Sequence, residues 1–372
     1  MTWVFWGAAA IVFYAYLGYA AWLWVRSRYH AKPVKRAAIT PQVSIVMVVR
    51  NETKILERKL RNLLELDYPG GRSNVVVVSD GSNDGTNELL AKYRDAGVRS
   101  ILNPESRGKA SCLNDAIAAA SGEIVLFTDA RQMIEPQAMQ LMMENFADET
   151  VGCVSGELML GDPESGEAVK GMGLYWKFEK KIREMESASG SVVGATGAIY
   201  AVRKPLLVTV PPETILDDVY LPMNVVRQGY RVIFDPRAHA WDVADQGTER
   251  EFSRKVRTLS GNYQLLQLAP WILGASDPLR FEFISHKLMR LVVPFALAAT
   301  LTAAMVLDRP IYRLALVLQL AFYALSFLVV AQMKRGLLAR MADAAFTFVV
   351  LNTAAVVAFA NFVLGRKAAW NR

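Results

Sequence analysis

A short unbroken apolar run, Ile124 to Phe127, lies between Gly122 and Thr128-Asp129 and constrains the fold of this chain more than any other feature. Such a run, bounded by glycine and polar residues, is typical of a strand buried on both faces, as in parallel sheets. Open α/β sheets bind ligands beyond the carboxyl ends of their strands, which is where Asp129 lies. Its carboxylate suits Mg²⁺ or Mn²⁺ carrying a diphosphate. The alternative is that Asp129 caps the following helix, predicted over 135–147.

Strands and helices alternate before this run. Strands are predicted over 43–49, 75–78 and 100–103, and helices over 53–66, 87–96 and 109–120. Alternation at this length predicts right-handed βαβ units and a parallel sheet.

Three of the predicted strands are followed by acidic side chains, namely Glu52, Asp80 and Asp129. Because the carboxyl ends of parallel strands meet at one edge of a sheet, we expect these acids to converge on a site rather than to serve as separate helix caps.

The pattern is less regular beyond residue 150. Strands are predicted over 151–160 and 230–234, a turn over 162–166, and helices over 171–187 and from the residue after Asp218 to Arg227. The segment from Ser191 to Tyr200 is rich in glycine and small residues. It is either a place where backbone approaches a ligand closely or a plain packed strand with tight turns.

Composition points to a membrane. Hydrophobic residues make up 53% of the 372 residues, and the mean hydropathy is +0.20. The net charge is +7, but the cations cluster beside apolar segments and form no basic stripe interleaved with aromatics, so nucleic acid is not an expected partner. The two cysteines, Cys112 and Cys153, are interpreted as small core residues in a reducing compartment.

An uncharged apolar stretch from Thr2 to Val25 is long enough to span a bilayer and is predicted to be an uncleaved anchor within residues 1–26. A basic linker, 27–41, follows it. The positive charge of this linker predicts an outside N-terminus and a cytoplasmic domain over 42–248.

Residues 249–288 are predicted to form amphipathic helices at the membrane surface, with a solvated helix face as the alternative. Residues 289–372 are predicted to form a bundle of about three spans, over 289–307, 311–333 and 343–364. Threading these spans places Lys334, Arg335 and Arg340 inside, as expected, but the tail with Arg366, Lys367 and Arg372 outside. Either the charge rule fails here or the last segment is re-entrant.

The motifs resemble those of family 2 glycosyltransferases. Ser79 to Thr86 (SDGSNDGT), Lys109 to Asn114, Thr128-Asp129-Ala130 and Leu216-Asp217-Asp218 occur in the family's order. The resemblance covers roughly 42–268, and the flanking apolar segments are similar to those of the membrane-bound branch that includes the synthases of cellulose, hyaluronan and poly-N-acetylglucosamine.

This resemblance implies a GT-A fold, an α/β domain with a mixed sheet, and a nucleotide-sugar donor. Glu52 and Asp80 match acids that contact the donor base and ribose, and a carboxylate suits the N3–H of uracil. Lys109 matches a basic residue near the diphosphate, with Arg107 assisting. Asp129 matches the first acid of the metal-binding DxD motif, whose Mg²⁺ or Mn²⁺ neutralises the leaving diphosphate.

Asp218 matches the aspartate of the family's acidic pair, with Asp217 in place of glutamate. The resemblance implies that Asp218 is the general base for the acceptor hydroxyl. A single base without a nucleophilic carboxylate suits displacement with inversion, by analogy with inverting glycosidases. The alternative for the two aspartates is a helix N-cap.

The sequence also departs from the family. Arg131 replaces the second acid of DxD, so it is a candidate contact for the diphosphate or an acidic acceptor. The QxxRW motif of processive synthases is reduced to Arg254 and Arg257, candidate phosphate contacts, which counts against long-chain synthesis. Trp176, with Tyr175, is a candidate acceptor platform, with core packing as the alternative. His239 is a candidate metal ligand, although a lone histidine is more often structural.

The sequence therefore predicts an inverting glycosyltransferase of the bacterial inner membrane, with its catalytic domain in the cytoplasm. Its donor is expected to be a UDP-sugar and its acceptor a membrane-associated lipid or exopolysaccharide. Other proteins of polysaccharide assembly are expected partners. The alternative is a non-catalytic GT-A subunit that scaffolds a polysaccharide export complex.

Overall fold

The computed structural model describes residues 1–69, 71–162, 167–168, 174–242, 248–329 and 336–366. Its first half contains α1 (Thr2–Tyr29), β1 (Val43–Val49), α2 (Thr53–Leu64), β2 (Ser73–Asp80), α3 (Thr86–Lys92), β3 (Val98–Asn103), α4 (Lys109–Ala119), β4 (Ile124–Phe127), β5 (Met133–Ile134) and α5 (Ala138–Glu144). The second half contains β6 (Val151–Asp162), β7 (Glu167–Ala168), α6 (Leu174–Ser189), β8 (Tyr200–Arg203), α7 (Asp217–Arg227), β9 (Arg231–Asp242), α8 (Thr248–Leu268), α9 (Arg280–Val306), α10 (Pro310–Phe327) and α11 (Leu337–Val363).

One mixed sheet organises the α/β part of the chain. Its strand order is β3-β2-β1-β4-β8-β6-β9-β5, and β7 pairs with β6. Strands β1 to β4 are parallel, as the alternation of strands and helices predicts. Strand β8 runs antiparallel to both β4 and β6, so the sheet is mixed, which the family resemblance implies.

Both faces of the sheet are covered. Successive side chains of a strand point to opposite faces, and in β1 Val46 and Val48 pack beneath α4 and α7 while Ile45 and Met47 pack beneath α2 and α5. All seven residues of β1 are therefore buried, which explains why the strand is a continuous apolar run without alternation.

Glycine is required where β4 begins. A Cβ at Gly122 would lie 2.5 Å from the backbone nitrogen of Ser44, so only glycine lets the chain pass this close to β1. The Gly122 N–H donates to Ser44 Oγ at 2.8 Å. This contact fixes the start of β4 and hence the position of the acid at its end.

Among the described residues, four helices are long and apolar enough to cross a membrane: α1, α9, α10 and α11. The α1 helix contains one π-helical turn, Tyr14–Gly18, and α9 contains another, Ile284–Leu288. The α1 helix packs against α9 and α6, and α11 packs against α8. Thus the apolar helices at both ends contact each other and the α/β domain.

The structure corrects several predicted boundaries. Strands β4 and β1 begin and end as predicted, but β9 continues to Asp242 beyond the predicted end at residue 234. The segment from Ser191 is mostly loop, and strand β8 starts only at Tyr200, so the packed-strand alternative is wrong. The predicted helix over 135–147 is shorter, with a 3₁₀ turn at Asn145–Ala147. Residues 163–166 of the predicted turn lie outside the described residues, as do Lys334, Arg335, Lys367 and Arg372.

Candidate active site

Asp129 lies just beyond the end of β4, in the turn that leads to β5. Its side chain is 43% exposed, so it faces the surface of the domain. The next helix, α5, begins at Ala138 with Gln137 at its N-cap. The prediction that Asp129 caps this helix is therefore wrong, and the side chain is available for another role.

Lys109, the first residue of α4, connects Asp129 to the acidic pair. Its Nζ lies 3.1 Å from Oδ1 of Asp129 and 3.1 Å from Oδ1 of Asp217. Burial lowers the pKa of Lys109, but the charges of Asp129, Asp217 and Asp218 outweigh burial and raise it above its usual value. The ammonium is therefore held charged between acids that are far apart in sequence.

The acidic pair forms the first turn of α7. Leu216 is the N-cap, and no side chain makes a capping hydrogen bond there, so the N-cap interpretation of Asp217 and Asp218 is wrong. Oδ2 of Asp217 accepts a hydrogen bond from the Tyr200 hydroxyl at 3.3 Å. With Lys109 on its other oxygen, Asp217 is committed to two partners within the protein.

Asp218 faces the glycine-rich loop. Its Oδ2 accepts the backbone N–H of Gly197 at 3.1 Å. A Cβ at Gly197 would lie 3.4 Å from Oδ2 of Asp218 and 3.5 Å from Oδ2 of Asp129. Gly197 therefore lies close to both carboxylates, and the close approach of backbone to a ligand in this segment stays a prediction.

The environment of Asp218 raises its pKa to about 6. Burial is the largest cause, followed by the negative charge of Asp217, whereas the positive charge of Lys109 lowers the pKa. Lys287, in the π-helical turn of α9, also lowers it. A carboxylate with a pKa near 6 can accept a proton at neutral pH more readily than an ordinary aspartate.

A side chain of α6 is joined to the glycine-rich loop by hydrogen bonds. The Arg183 guanidinium donates to Ser155 Oγ at 2.7 Å, and the same oxygen accepts the Thr196 N–H at 3.0 Å. This chain of hydrogen bonds fixes the loop next to Gly197. Arg183 was not predicted as a site residue, because nothing in its local sequence marks it.

Asp80 has a different environment from the other acids. It is fully buried, and its carboxylate accepts the N–H groups of Arg107 at 2.5 Å and Gly108 at 3.1 Å, together with the Ser106 hydroxyl at 2.8 Å. It thereby holds the loop that leads into α4. The Arg107 side chain pairs with Asp115 at 2.7 Å and is exposed.

Glu52 lies at the N-cap of α2, directly after β1. Its N–H donates to Thr86 Oγ1 at 3.0 Å, which joins the end of β1 to the loop after β2. Both Glu52 and Asp80 are therefore at the carboxyl edge of the parallel strands, as predicted.

Arg131 and His239 have partners elsewhere. The Arg131 guanidinium donates to Oδ2 of Asp242 at 2.6 Å, at the end of β9. Nδ1 of His239 lies 3.1 Å from Oε2 of Glu135, and its Nε2 lies 2.9 Å from the Pro236 carbonyl. These contacts favour the structural interpretation of His239.

The remaining candidates lie on helices that flank the site. Trp176 is exposed near the start of α6, whereas the hydroxyl of Tyr175 accepts a hydrogen bond from Arg290 at 3.3 Å. Arg254 and Arg257 lie on α8.

The α8 helix is docked beside the acidic pair. Oε1 of Gln264 accepts the Ile215 N–H at 2.9 Å, and its Nε2 donates to the Glu213 carbonyl at 2.7 Å. The loop before α7 is thus fastened to α8.

Lys59 is a residue of this site that the sequence interpretation missed. It is fully buried on α2, and its Nζ donates to Thr128 Oγ1 at 2.8 Å and to the Gln132 carbonyl at 2.5 Å, on either side of Asp129. The signal was present, because Lys59 occupies the same helical stripe as Leu56, Leu60 and Leu63.

No group of three or more histidine, cysteine or acidic side chains suited to a metal occurs among the described residues. Mg²⁺ and its relatives, however, are commonly held by one or two carboxylates together with substrate phosphates and water. Asp129 has one oxygen on Lys109 and the other beside Gly197, so it fits a cation that arrives with a diphosphate.

Comparison with known proteins matches part of the α/β domain to a protein family. Residues 44–208 match the family model described as Glycosyl transferase family 2. This match confirms the family resemblance, and it covers β1 to β8 and the acids after β1, β2 and β4.

Two curated relatives are poly-beta-1,6-N-acetyl-D-glucosamine synthases. The protein of Staphylococcus aureus (strain COL) is 26% identical over 229 residues, which is 60% of this chain and 55% of the relative. The protein of Staphylococcus epidermidis is 24% identical over 234 residues, 62% of this chain and 56% of the relative. The chain thus spans little more than half the length of these relatives.

One solved structure matches nearly the whole chain. It is the mannosyltransferase PcManGT from Pyrobaculum calidifontis in complex with GDP-Man and Mn²⁺, with a TM-score of 0.74 and 24% identity. The match covers 96% of this chain and 98% of the other. The fold is therefore GT-A-like, with apolar helices near the N-terminus and at the C-terminal end.

Proposed function

We propose that this chain, of which residues 44–208 match the model of family 2 glycosyltransferases, takes a sugar from a nucleotide-sugar and transfers it with inversion to a membrane-associated acceptor, with Asp218 as the general base. The observation that carries the proposal is that the carboxylates of Asp218 and Asp129 both lie beside Gly197. One acid is then beside the diphosphate and the other beside the acceptor hydroxyl.

We assign different roles to the two aspartates of the pair because their environments differ. Asp217 is bound by Lys109 and Tyr200, so it holds the ammonium in place. Asp218 has a raised pKa of about 6 and accepts one backbone N–H, so it is the group suited to take the acceptor proton. With one base and no separate nucleophile, the acceptor oxygen attacks the anomeric carbon directly and the configuration inverts, by analogy with inverting glycosidases.

Asp129 would hold the divalent cation, Mg²⁺ or Mn²⁺, through the oxygen beside Gly197. Bound there, the cation would neutralise charge on the leaving diphosphate. Lys109, already within 3.1 Å of Asp129, is positioned to contact the same diphosphate oxygens. Glu52 and Asp80 would define the nucleotide end of the cleft, with Asp80 acting through the loop that it holds at Arg107 and Gly108.

The acceptor is proposed to be a lipid or a growing glycan at the cytoplasmic face of the bacterial inner membrane. The four long apolar helices support membrane association, and α1 and α9 both contact α6, which flanks the site. Trp176, which is exposed on α6, and Arg254 and Arg257, on α8, are candidate acceptor or phosphate contacts on the flanking helices.

A donor panel tests this proposal. Membranes containing the full-length chain would be incubated with UDP-sugars and GDP-mannose, with Mn²⁺, Mg²⁺ or a chelator, and nucleoside diphosphate release would be measured. We expect release from one UDP-sugar, dependent on the divalent cation and on lipid extract. Release from GDP-mannose alone would reject UDP as the donor nucleotide, and release from no donor would reject the proposed transfer.

A further inference from the structure

The α2 helix buries a lysine on its apolar face. Leu56, Lys59, Leu60 and Leu63 are all buried, and Lys59 is 0% exposed. Lysine is almost never fully buried without partners, because taking an ammonium out of water is costly. Its retention inside the domain therefore requires a compensating set of contacts.

These contacts join two segments of the candidate active site. Nζ of Lys59 donates to Thr128 Oγ1 at 2.8 Å, and the Thr128 hydroxyl in turn donates to the Ala198 carbonyl at 2.9 Å. Thr128 immediately precedes Asp129, and Ala198 immediately follows Gly197. One relay of hydrogen bonds thus links the Asp129 turn to the loop that binds Asp218.

A second residue of α2 binds the short strand β5, which follows this turn. Asn62 donates through Nδ2 to the Ile134 carbonyl at 2.8 Å and accepts the Ile134 N–H at Oδ1 at 2.9 Å. Lys59 and Asn62 are three residues apart, so they lie on one helical face. Asn62 fixes β5, whereas only Lys59 reaches the residues that flank Asp129, through Thr128 Oγ1 and the Gln132 carbonyl.

The electrostatics agree with this geometry. Burial lowers the pKa of Lys59 to about 7, while the negative charge of Asp129 raises it and favours the charged form. The ammonium and the Asp129 carboxylate therefore influence each other, although no substrate atom can reach a side chain that is fully buried.

We propose that Lys59 is a positioning residue for the sugar-transfer site, and that its ammonium sets the turn from Thr128 to Gln132 so that Asp129 faces Gly197 and Asp218. The inference rests on the proposed function, because it assigns the metal-holding role to Asp129. Lys59 acts through Thr128 and does not itself touch the donor.

The test compares Lys59→Met with Asn62→Ala in the full-length chain, purified in detergent. The half-saturating Mn²⁺ concentration for binding of a fluorescent nucleoside diphosphate would be measured, together with the thermal midpoint. We expect Lys59→Met to raise the half-saturating Mn²⁺ concentration by about 10-fold or more, as is usual when an outer-shell partner of a metal ligand is lost. We expect Asn62→Ala to lower the thermal midpoint. Its half-saturating Mn²⁺ concentration should stay within about twofold of that of the unmodified protein, because Ile134 lies beyond the turn that holds Asp129.

The direction of the change in Mn²⁺ binding distinguishes a displaced Asp129 from the simple loss of a positive charge. Removal of a positive charge would by itself strengthen binding of a cation, so weaker Mn²⁺ binding in Lys59→Met reports a displaced Asp129. Thr128→Val removes only the hydroxyl of the relay and carries the test if Lys59→Met does not fold. We expect it to weaken Mn²⁺ binding in the same direction, and the double variant to be little worse than either single one.

Two results would overturn the inference. If Asp129→Asn weakens Mn²⁺ binding but Lys59→Met and Thr128→Val do not, Lys59 is only a structural brace and the proposed function stands. If Asp129→Asn itself leaves Mn²⁺ binding unchanged, the metal assignment fails and the role of Lys59 fails with it.

Discussion

Gly197 donates its backbone N–H to Oδ2 of Asp218 over 3.1 Å, and its missing Cβ would point toward Oδ2 of Asp129. The two carboxylates come from α7 and from the end of β4, which are 89 positions apart in sequence. The loop between α6 and β8 brings the glycine close to both of them. A side chain at this position would contact both carboxylates, so the position is sensitive to added volume.

Gly197→Ala is expected to reduce transfer by about 10- to 100-fold, because a methyl group would occupy the space in which the reacting atoms must align. The added Cβ would lie 3.4 Å from Asp218 Oδ2 and 3.5 Å from Asp129 Oδ2, so the chain can still fold. Turnover and nucleoside diphosphate affinity would be measured together. Gly7→Ala is the control, because a Cβ at Gly7 meets nothing within 4 Å. Equal turnover in the two variants would contradict the proposed cleft.

The pH dependence of transfer should follow Asp218. A general base must be deprotonated, and the pKa of Asp218 is about 6. We therefore expect kcat/KM to fall about tenfold per pH unit below pH 6 and to be level above it. A profile that is level from pH 5 to pH 8 would contradict the assignment of the base.

Two neighbouring charges should shift the acid limb of the pH–rate profile, which is the fall in kcat/KM below pH 6, in opposite directions. Lys109 lowers the pKa of Asp218 and Asp217 raises it. Lys109→Met should thus shift the limb to higher pH, and Asp217→Asn should shift it to lower pH. Because interacting groups titrate together, the limb reports the whole cluster. Normalised pH–rate profiles of the two variants check this, and shifts of the same sign would contradict it.

Asp129→Asn should weaken the binding of nucleoside diphosphate in the presence of Mn²⁺ by about 10-fold or more, because it removes the carboxylate that would hold the cation. Binding in the presence of a chelator should be the same for this variant and the unmodified protein. Asp308→Asn is a suitable control, since Asp308 lies far from Asp129 along the chain, is exposed and pairs with Arg313. If Asp129→Asn binds with unchanged affinity in Mn²⁺, the metal is held elsewhere.

The contact between α9 and α6 should contribute measurably to stability. The His286 ring is 1% exposed and lies 2.7 Å from Glu186 and 2.8 Å from Glu179. His286→Ala leaves these buried carboxylates short of a partner, which should destabilise the protein by about 3 kcal/mol. Thermal unfolding in detergent would measure the loss, and His30→Ala, at an exposed position, is the matched control. A change no larger than that of the control would show that the contact carries little stability.

Local sequence patterns were sufficient to predict the buried strands of the sheet and the acids that follow them. The apolar runs of β1 and β4 fix two strands because a strand buried on both faces must be apolar throughout. The acids after β1, β2 and β4 lie at one edge of the sheet because the carboxyl ends of parallel strands share that edge. The motif order of the family indicated Asp218 and Lys109, whose proximity no local pattern specifies.

Pairings between distant residues were not predictable from local sequence. Arg131 was a candidate contact for the diphosphate or an acidic acceptor, and local sequence gave no sign that its guanidinium would donate to Asp242, 111 positions away. His239 contacts Glu135 through the pairing of β5 with β9, a contact that depends on the finished sheet. Lys59 could have been noticed as a charge within an apolar stripe, but its partners are 69 and 73 positions away.

The most direct measurement compares binding and transfer in Asp218→Asn. The variant would be assayed in native membranes for nucleoside diphosphate affinity and for sugar transfer to the endogenous acceptor. The account predicts unchanged affinity and a loss of transfer of at least about 100-fold, because only the base is removed. Near-normal transfer by Asp218→Asn would contradict the account.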